Sequence, residues 1–343
     1  MSVCPYCSAS LSANQKPAGK PEISSCRACM NPLIIEWSGA NVVCRPVGAP
    51  RDIRQLAPEG SIGGAIFSEL PGAMERLPVL PEVAQRILAM VNDPNVTMNE
   101  LGQVVREDSV IAVKMMQLAN SPVYGGLQEV RDLNMACARL GMKVICNAVQ
   151  AIANSHLYKT QDPRLDTHMR NLWRHSVAVA HCASELAILL AVPRPESLFL
   201  AGLVHDIGKV VLLDIIARSP AGPLREVLAS PGLLAEALEG FHGVTGLQVM
   251  QHWGLPAEFS VTTFCHHDPT LSPDEDLAPR VHIVALANAI ARVEGFSMSG
   301  EAETLYLTSH ASARYLNLND IKLASLRVDL ADTLEAILEA VTP

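Results

Sequence analysis

The chain has 343 residues, enough for two or three domains, and is 49% hydrophobic but only 4% aromatic, which points to a core of Leu, Ile, Val, Met and Ala and therefore to helices. Its formal net charge of −9 argues against general affinity for nucleic-acid backbones or anionic membranes. No apolar run approaches the roughly 20 residues that span a bilayer, and Met1–Cys7 carries neither the basic nor the apolar region of a signal peptide; with nine cysteines read as reduced thiols and metal ligands, the expectation is a soluble cytoplasmic protein.

At the N-terminus, Cys4-Pro-Tyr-Cys7 and Cys26-Arg-Ala-Cys29 form two CxxC knuckles separated by 18 residues. That is the spacing of a four-thiolate tetrahedral zinc site, in which each tight turn presents two sulfurs to one ion. So short a segment has almost no apolar core, and metal binding would supply most of its folding energy. Cys44 falls outside the set and reads as an ordinary thiol. Residues 32–37 and 41–46 read as short strands joined by Ser38-Gly39-Ala40, a hairpin signal. Residues 1–47 therefore read as a zinc ribbon, mildly basic within an acidic chain, which serves a protein contact or a structural role rather than nucleic acid. Residues 48–64, with Pro50, Pro58, Gly60, Gly63 and Gly64, read as a linker.

From Leu77 the pattern turns helical. Leu77-Pro-Val-Leu-Pro81 is an extended lead-in, each Pro disfavouring helix before it. Val83, Ile87, Leu88 and Val91 recur at the steps of a buried helix face. Thr97-Met-Asn-Glu100 is a capping-box signature, and Asp108 caps a third helix. Helical segments run on from about 132 to 158, with a break expected at Leu140-Gly141. Leu-Pro-x-Leu-Pro at 77–81, Glu107-Asp108, Asn120-Ser-x-x-Tyr124 and Leu140-Gly141 fall in the order found in the HDOD family, the HD-related output domains of bacteria. The chain resembles that family over residues 65–330. The resemblance implies an all-α assembly of two helical lobes, 65–160 and 161–343, the second related to HD-type phosphohydrolases; the ribbon lies outside it.

The chemistry centres on Leu200–Lys209, where His205-Asp206 ends an apolar helical segment and Ile207-Gly208-Lys209 opens the next. Adjacent imidazole and carboxylate suit a divalent metal such as Fe, Mn, Mg or Zn. His175 precedes the pair on a helix expected over 166–190, the position of a further metal ligand in HD proteins, so His175, His205 and Asp206 form the expected metal-binding face. Lys209 resembles a phosphate-contacting lysine of HD enzymes, with a solvated helix residue as its bland alternative. The resemblance also implies departures. Asn288 stands where a late-helix aspartate is expected, and a neutral oxygen balances none of an ion's charge. Gly246 and Met250 occupy a segment where related sequences carry His and then Gly four residues apart; His242, a turn earlier, is not counted as a ligand. His266 and His267, within Cys265-His-His-Asp268, resemble the paired histidines of HD-GYP phosphodiesterases, although capping of a helix end is the preferred reading. The tail 329–341 is amphipathic and closes the domain or forms a homodimer contact.

These readings lead to a signalling output domain that acts through contacts with signalling proteins, its HD site retained in part and catalytically weak. The alternative is a metal-dependent phosphohydrolase or phosphodiesterase acting on a nucleotide or cyclic nucleotide. Zinc in the ribbon and a second divalent metal at the HD site are the implied cofactors.

Overall fold

The computed structural model describes residues 2–4, 9–11, 21–26, 31–38, 41–47, 60–78, 82–91, 93, 95–126, 128–219 and 222–342. The linker expected over 48–64 and the lead-in at 77–81 fall largely outside these residues, as do Cys7 and Cys29. The chain is mostly helical and divides into two compact units, each built from two stretches of sequence: residues 1–78 with 204–282, and 79–203 with 283–343. The contacts thus group differently from a division at residue 160. Among the described residues, no helix is long and apolar enough to cross a membrane.

The first unit begins with strands. β1 (Ser2–Val3) pairs with β2 (Ser10–Leu11), and β3 (Glu22–Ser25), β4 (Pro32–Ser38) and β5 (Asn41–Pro46) form an antiparallel sheet in that order. The hairpin expected over 32–46 is present; β1, β2 and β3 are too short or too polar to have announced themselves by alternation. Period-two geometry sends successive β4 side chains to opposite faces. Leu33 packs with Cys4 and Cys26 on one side, while Ile34, with Ile23 and Val47, packs against Leu247, Val261, Cys265 and Val281 on the other. Ser24 and Ser25 exchange hydrogen bonds with the Gln251 amide at 2.9 and 3.0 Å. The sheet is therefore a backing layer for the helices it touches.

The helices of this unit are α1 (Ile62–Arg76), which opens on the Ser61 N-cap, α8 (Ile207–Arg218), α9 (Pro223–Ala229), α10 (Pro231–His252) and α11 (Ala257–Cys265); the sheet touches α10 and α11, and α1 packs on α8, α9 and α10. Two glycines set how closely they approach. A Cβ on Gly208 of α8 would lie 2.0 Å from the His242 carbonyl oxygen of α10, and one on Gly246 of α10 would lie 2.5 Å from Thr263 Cγ2 of α11. Both contacts exist only because these residues lack a side chain.

In the second unit, α2 (Glu82–Val91), α3 (Met98–Glu107) and α4 (Ser109–Ala119) pack on α5 (Leu133–Asn154), and α6 (Asp166–Leu189) packs on the C-terminal α14 (Asp320–Val341). α7 (Pro195–Val204), α12 (Ala278–Val293) and the short α13 (Ala311–Tyr315) complete the helices, the unit boundaries falling at the end of α7 and within α12. The Thr97–Glu100 capping box forms in both directions, and Asp108 accepts from the amides of Val110 and Ile111. At the expected break, Gly141 takes φ +75° and kinks α5 without ending it. Leu101, Val105, Ile111, Met115, Leu118, Ile145 and Val149 are buried in this unit.

Replacing Gly208 with Ala is expected to force α8 off the α10 backbone and to destabilise the protein by about 1–3 kcal/mol, as overpacking of a filled interior does. Urea unfolding of Gly208→Ala beside the wild type measures it; an unchanged midpoint would show that α8 has room to spare.

Candidate metal centre

Asp206 sits at the start of α8, in the sharp turn after α7, where the chain reverses next to the face of α10. On α10, Glu239, His242 and Gly246 follow one another at three- and four-residue steps and so share a face. His266 and His267 lie at the C-terminal end of α11, whose inner side is fixed from behind by the sheet through Cys265. Gly208 and Gly246 let these three helix segments meet, and their polar side chains converge.

Ligand atoms of Asp206, His242, His266 and His267 all lie within 4.8 Å of one another. His242 Nε2 is 3.4 Å from Asp206 Oδ1, and His266 Nε2 is 3.6 Å from the same oxygen. The two Nε2 atoms are 3.4 Å apart, and His267 Nε2 is 3.0 Å from that of His242. His205 stacks edge-on to His266, ring centres 4.9 Å apart, with Nε2 3.5 Å from Asp206 Oδ2. Asp206, His205, His242 and His266 are buried.

The tautomers follow from the backbone. His242 Nδ1 lies 2.7 Å from the Leu238 carbonyl and His266 Nδ1 lies 2.9 Å from the Thr263 carbonyl. A carbonyl only accepts, so both Nδ1 atoms carry the proton and both Nε2 atoms present lone pairs inward. Burial keeps these rings neutral: it pushes His242 down to about 4, against the pull of Asp206, and His266 well below its ordinary value, with neighbouring histidines adding to the effect. Two bare imidazole nitrogens and a carboxylate oxygen thus face one point, an all-acceptor set that fits a divalent cation. The Nδ1–H to carbonyl bonds are the outer contacts that orient ligating histidines in metal sites.

Lys209, almost wholly buried, lies beside this set with Nζ 2.9 Å from Asp206 Oδ2 and 2.8 Å from Glu239 Oε1. Burial works against its charge, but Asp206 and Glu239 outweigh it and hold the ammonium above its ordinary value. Glu239 is lowered in turn: Lys209 prevails over the desolvation that opposes its ionisation. Lys209 is therefore a buried, paired cation and not a solvated helix residue.

The structure brings His205, Asp206, His266, His267 and Lys209 together and adds His242 and Glu239. The signal for His242 was present, because His242 and Gly246 are themselves four residues apart, the His-to-Gly spacing of related sequences. His175 and Asn288 belong to the other unit, on α6 and α12. There His175 is buried with Nδ1 2.6 Å from the Phe296 carbonyl, and Asn288 is also buried.

A family model for the HDOD domain matches residues 77–269. An uncharacterized protein of Treponema pallidum (strain Nichols) is 24% identical over 237 residues, which are 66% of this chain but only 44% of that relative's length. Among solved structures, an HDOD domain protein of unknown function from Geobacter sulfurreducens aligns with TM-score 0.59 and 24% identity over 80% of this chain and 98% of its own. A protein from Marinobacter aquaeolei VT8 assigned to signal transduction aligns with TM-score 0.58 and 20% identity over 90% and 75% of the two chains. One from Shewanella amazonensis SB2B assigned as a phosphohydrolase aligns with TM-score 0.55 and 22% identity over 81% and 98%. At these identities the likeness is one of fold.

Lys209→Met removes the cation from between two carboxylates, one of them buried. A loss of about 3 kcal/mol is expected from stranding the buried charge, read by urea unfolding in the presence of a chelator. A variant as stable as the wild type would show that the contact between Lys209 and Asp206 contributes nothing to stability.

Proposed function

This chain belongs to the HDOD domain family, and we propose that it is a bacterial signalling module that acts through protein contacts and holds a divalent metal on Asp206, His242, His266 and His267. The observation that carries the reading is the convergence of those four ligands with both tautomers set by helix carbonyls. Bound there, a divalent ion supplies Lewis acidity and a cationic anchor for an anionic ligand. The chain's own residues do the rest. Asp206 provides the negative charge, Leu238 and Thr263 orient the two rings, and Lys209 neutralises the edge of the carboxylate turned away from them.

A signalling role is favoured over turnover by the charge balance. The set holds one carboxylate among three imidazoles, part of that carboxylate's charge is committed to Lys209, and Asn288 stands where the family resemblance calls for another acid. With so little negative charge the set would hold an ion less firmly than an acid-rich site would, which suits a regulatory ion whose occupancy can vary. The Marinobacter likeness is consistent with a regulatory domain.

The N-terminal segment fits the same scheme as a second, structural zinc site on Cys4, Cys7, Cys26 and Cys29. Its support is that Cys4 N–H donates to the Ala9 carbonyl and Cys26 N–H to the Asn31 carbonyl, both at 2.9 Å. Each of these two cysteines thus bonds to the residue five positions on, and Cys4 and Cys26 are buried together with Leu33. Partners are signalling proteins met through the surface of the helical units, and α14 offers one route to a homodimer.

A second reading, a phosphohydrolase acting on a nucleotide or cyclic nucleotide, draws on Lys209. A charged ammonium beside a metal-binding set is what a phosphoryl group requires.

Metal analysis of the purified chain is expected to find about one zinc from the ribbon and about one further divalent ion. His242→Ala with His266→Ala should lose only the second, and Cys4→Ser with Cys26→Ser only the first. Retention of the second ion by the double histidine variant would overturn the assignment. Turnover of bis-p-nitrophenyl phosphate or a cyclic dinucleotide, abolished by Asp206→Ala, would replace the signalling reading with the enzymatic one.

A further inference from the structure

The second unit contains a cavity of about 40 Å³, room for about three waters or for one molecule of a few heavy atoms. Tyr124, Lys143, Asn147, His181 and Glu185 line it, and all five come from the same unit. It involves none of the metal-centre residues.

The part of its wall formed by Asn147 and His181 is short of hydrogen-bond donors. Asn147, on α5, is 7% exposed; its amide nitrogen donates to Ser184 Oγ at 3.4 Å, and its Oδ1 is buried with no hydrogen-bond partner. His181, on α6, has Nε2 3.1 Å from Thr333 Oγ1, and the Thr333 hydroxyl donates to the Asp329 carbonyl at 2.8 Å. His181 Nε2 must therefore be the donor, which leaves Nδ1 as the lone-pair nitrogen. That Nδ1 is 4.0 Å from Glu185 Oε1, another acceptor and beyond hydrogen-bond reach. Burial pushes His181 down to about 4, so the ring is neutral at pH 7 and adds no donor of its own.

The opposite chemistry sits alongside. Lys143 Nζ is 2.6 Å from Glu185 Oε1, both partly buried, and has further N–H groups to offer. Burial, with Glu185 nearby, raises the Tyr124 phenol, which stays a neutral O–H donor. A lone cation would meet Lys143, and a lone anion would meet Glu185. A molecule carrying both charges meets neither conflict.

We propose that this cavity binds a small zwitterion, an α-amino acid with a short side chain, whose ammonium is received by Asn147 Oδ1, His181 Nδ1 and Glu185 and whose carboxylate faces Lys143 and the Tyr124 hydroxyl. Three acceptors match the three N–H bonds of an ammonium group. Ala148 and Ala151 on the apolar side of the cavity leave space for a methyl or hydroxymethyl group and exclude a large one. The site would make the second unit the sensory half of the chain, and it stands whether or not the metal centre is loaded.

The test is calorimetric titration and thermal melting of the full chain with glycine, L-alanine and L-serine, with acetate and ethylamine as single-charge controls. The amino acids are expected to bind saturably and to raise the melting temperature, and the two controls to do neither. Glu185→Gln, a change of equal volume at a partly exposed position, should weaken binding about tenfold or more, and Asn147→Leu should abolish it. Three results would each overturn the proposal: no saturable binding of any amino acid to the folded chain, which marks a water-filled void; acetate binding as well as alanine; or unaltered affinity in folded Glu185→Gln.

Discussion

The candidate metal centre depends on one close approach, that of the α8 backbone at Gly208 to the His242 carbonyl of α10. Asp206 reaches the histidines only because the residue two positions on has no side chain. Gly246 performs the same service one helix further along, against Thr263 of α11. A methyl at Gly208 would have to be accommodated by moving backbone and one at Gly246 by moving the buried Thr263 side chain, and a close-packed interior concedes such movement only at substantial cost. The ligand set is consequently a property of the packed helices more than of any one segment.

Around that contact the polar groups are arranged to remain ready for an ion. Helix carbonyls take the Nδ1 protons of His242 and His266, burial keeps both rings neutral, and Lys209 bridges Asp206 and Glu239. An acceptor-rich pocket of this kind is costly to bury unless something positive shares it. Lys209 supplies part of that charge. The sheet contributes from behind through Ile23, Ile34 and Val47, which pack near the end of α11, one residue before His266. The N-terminal segment is thereby mechanically adjacent to the candidate metal centre although far from it in sequence.

A second acceptor-rich cavity, on Asn147, His181 and Glu185, obeys the same logic with a different solution. There the neighbouring cation is Lys143, held by Glu185 in an ion pair, and the wall as a whole is neutral. In both places a neutral histidine has its tautomer fixed by one hydrogen bond and turns its other nitrogen inward. The first set is the candidate metal site and the second the proposed ammonium site, since only the first gathers a carboxylate and several imidazoles at one point.

Much of this was written in the sequence. The Thr97–Glu100 capping box, the Asp108 cap, the β4–β5 hairpin and the helix over 166–189 are local signals, fixed by the hydrogen-bonding capacity of a few adjacent residues or by apolar periodicity, and they formed as the residues dictate. The His205-Asp206 pair, Lys209 and the paired His266 and His267 were also visible as chemistry. Only tertiary structure decided how they combine. It placed His242 and Glu239 beside Asp206, and it turned His266 and His267 toward that carboxylate as well as placing them at a helix end. It also divided the chain into units built from non-adjacent stretches, docking the N-terminal sheet on α10 and α11. Periodicity states that a helix has an apolar face but not which other face covers it. The distance between Gly208 and the His242 carbonyl, set by that choice, is what no single stretch of sequence contains.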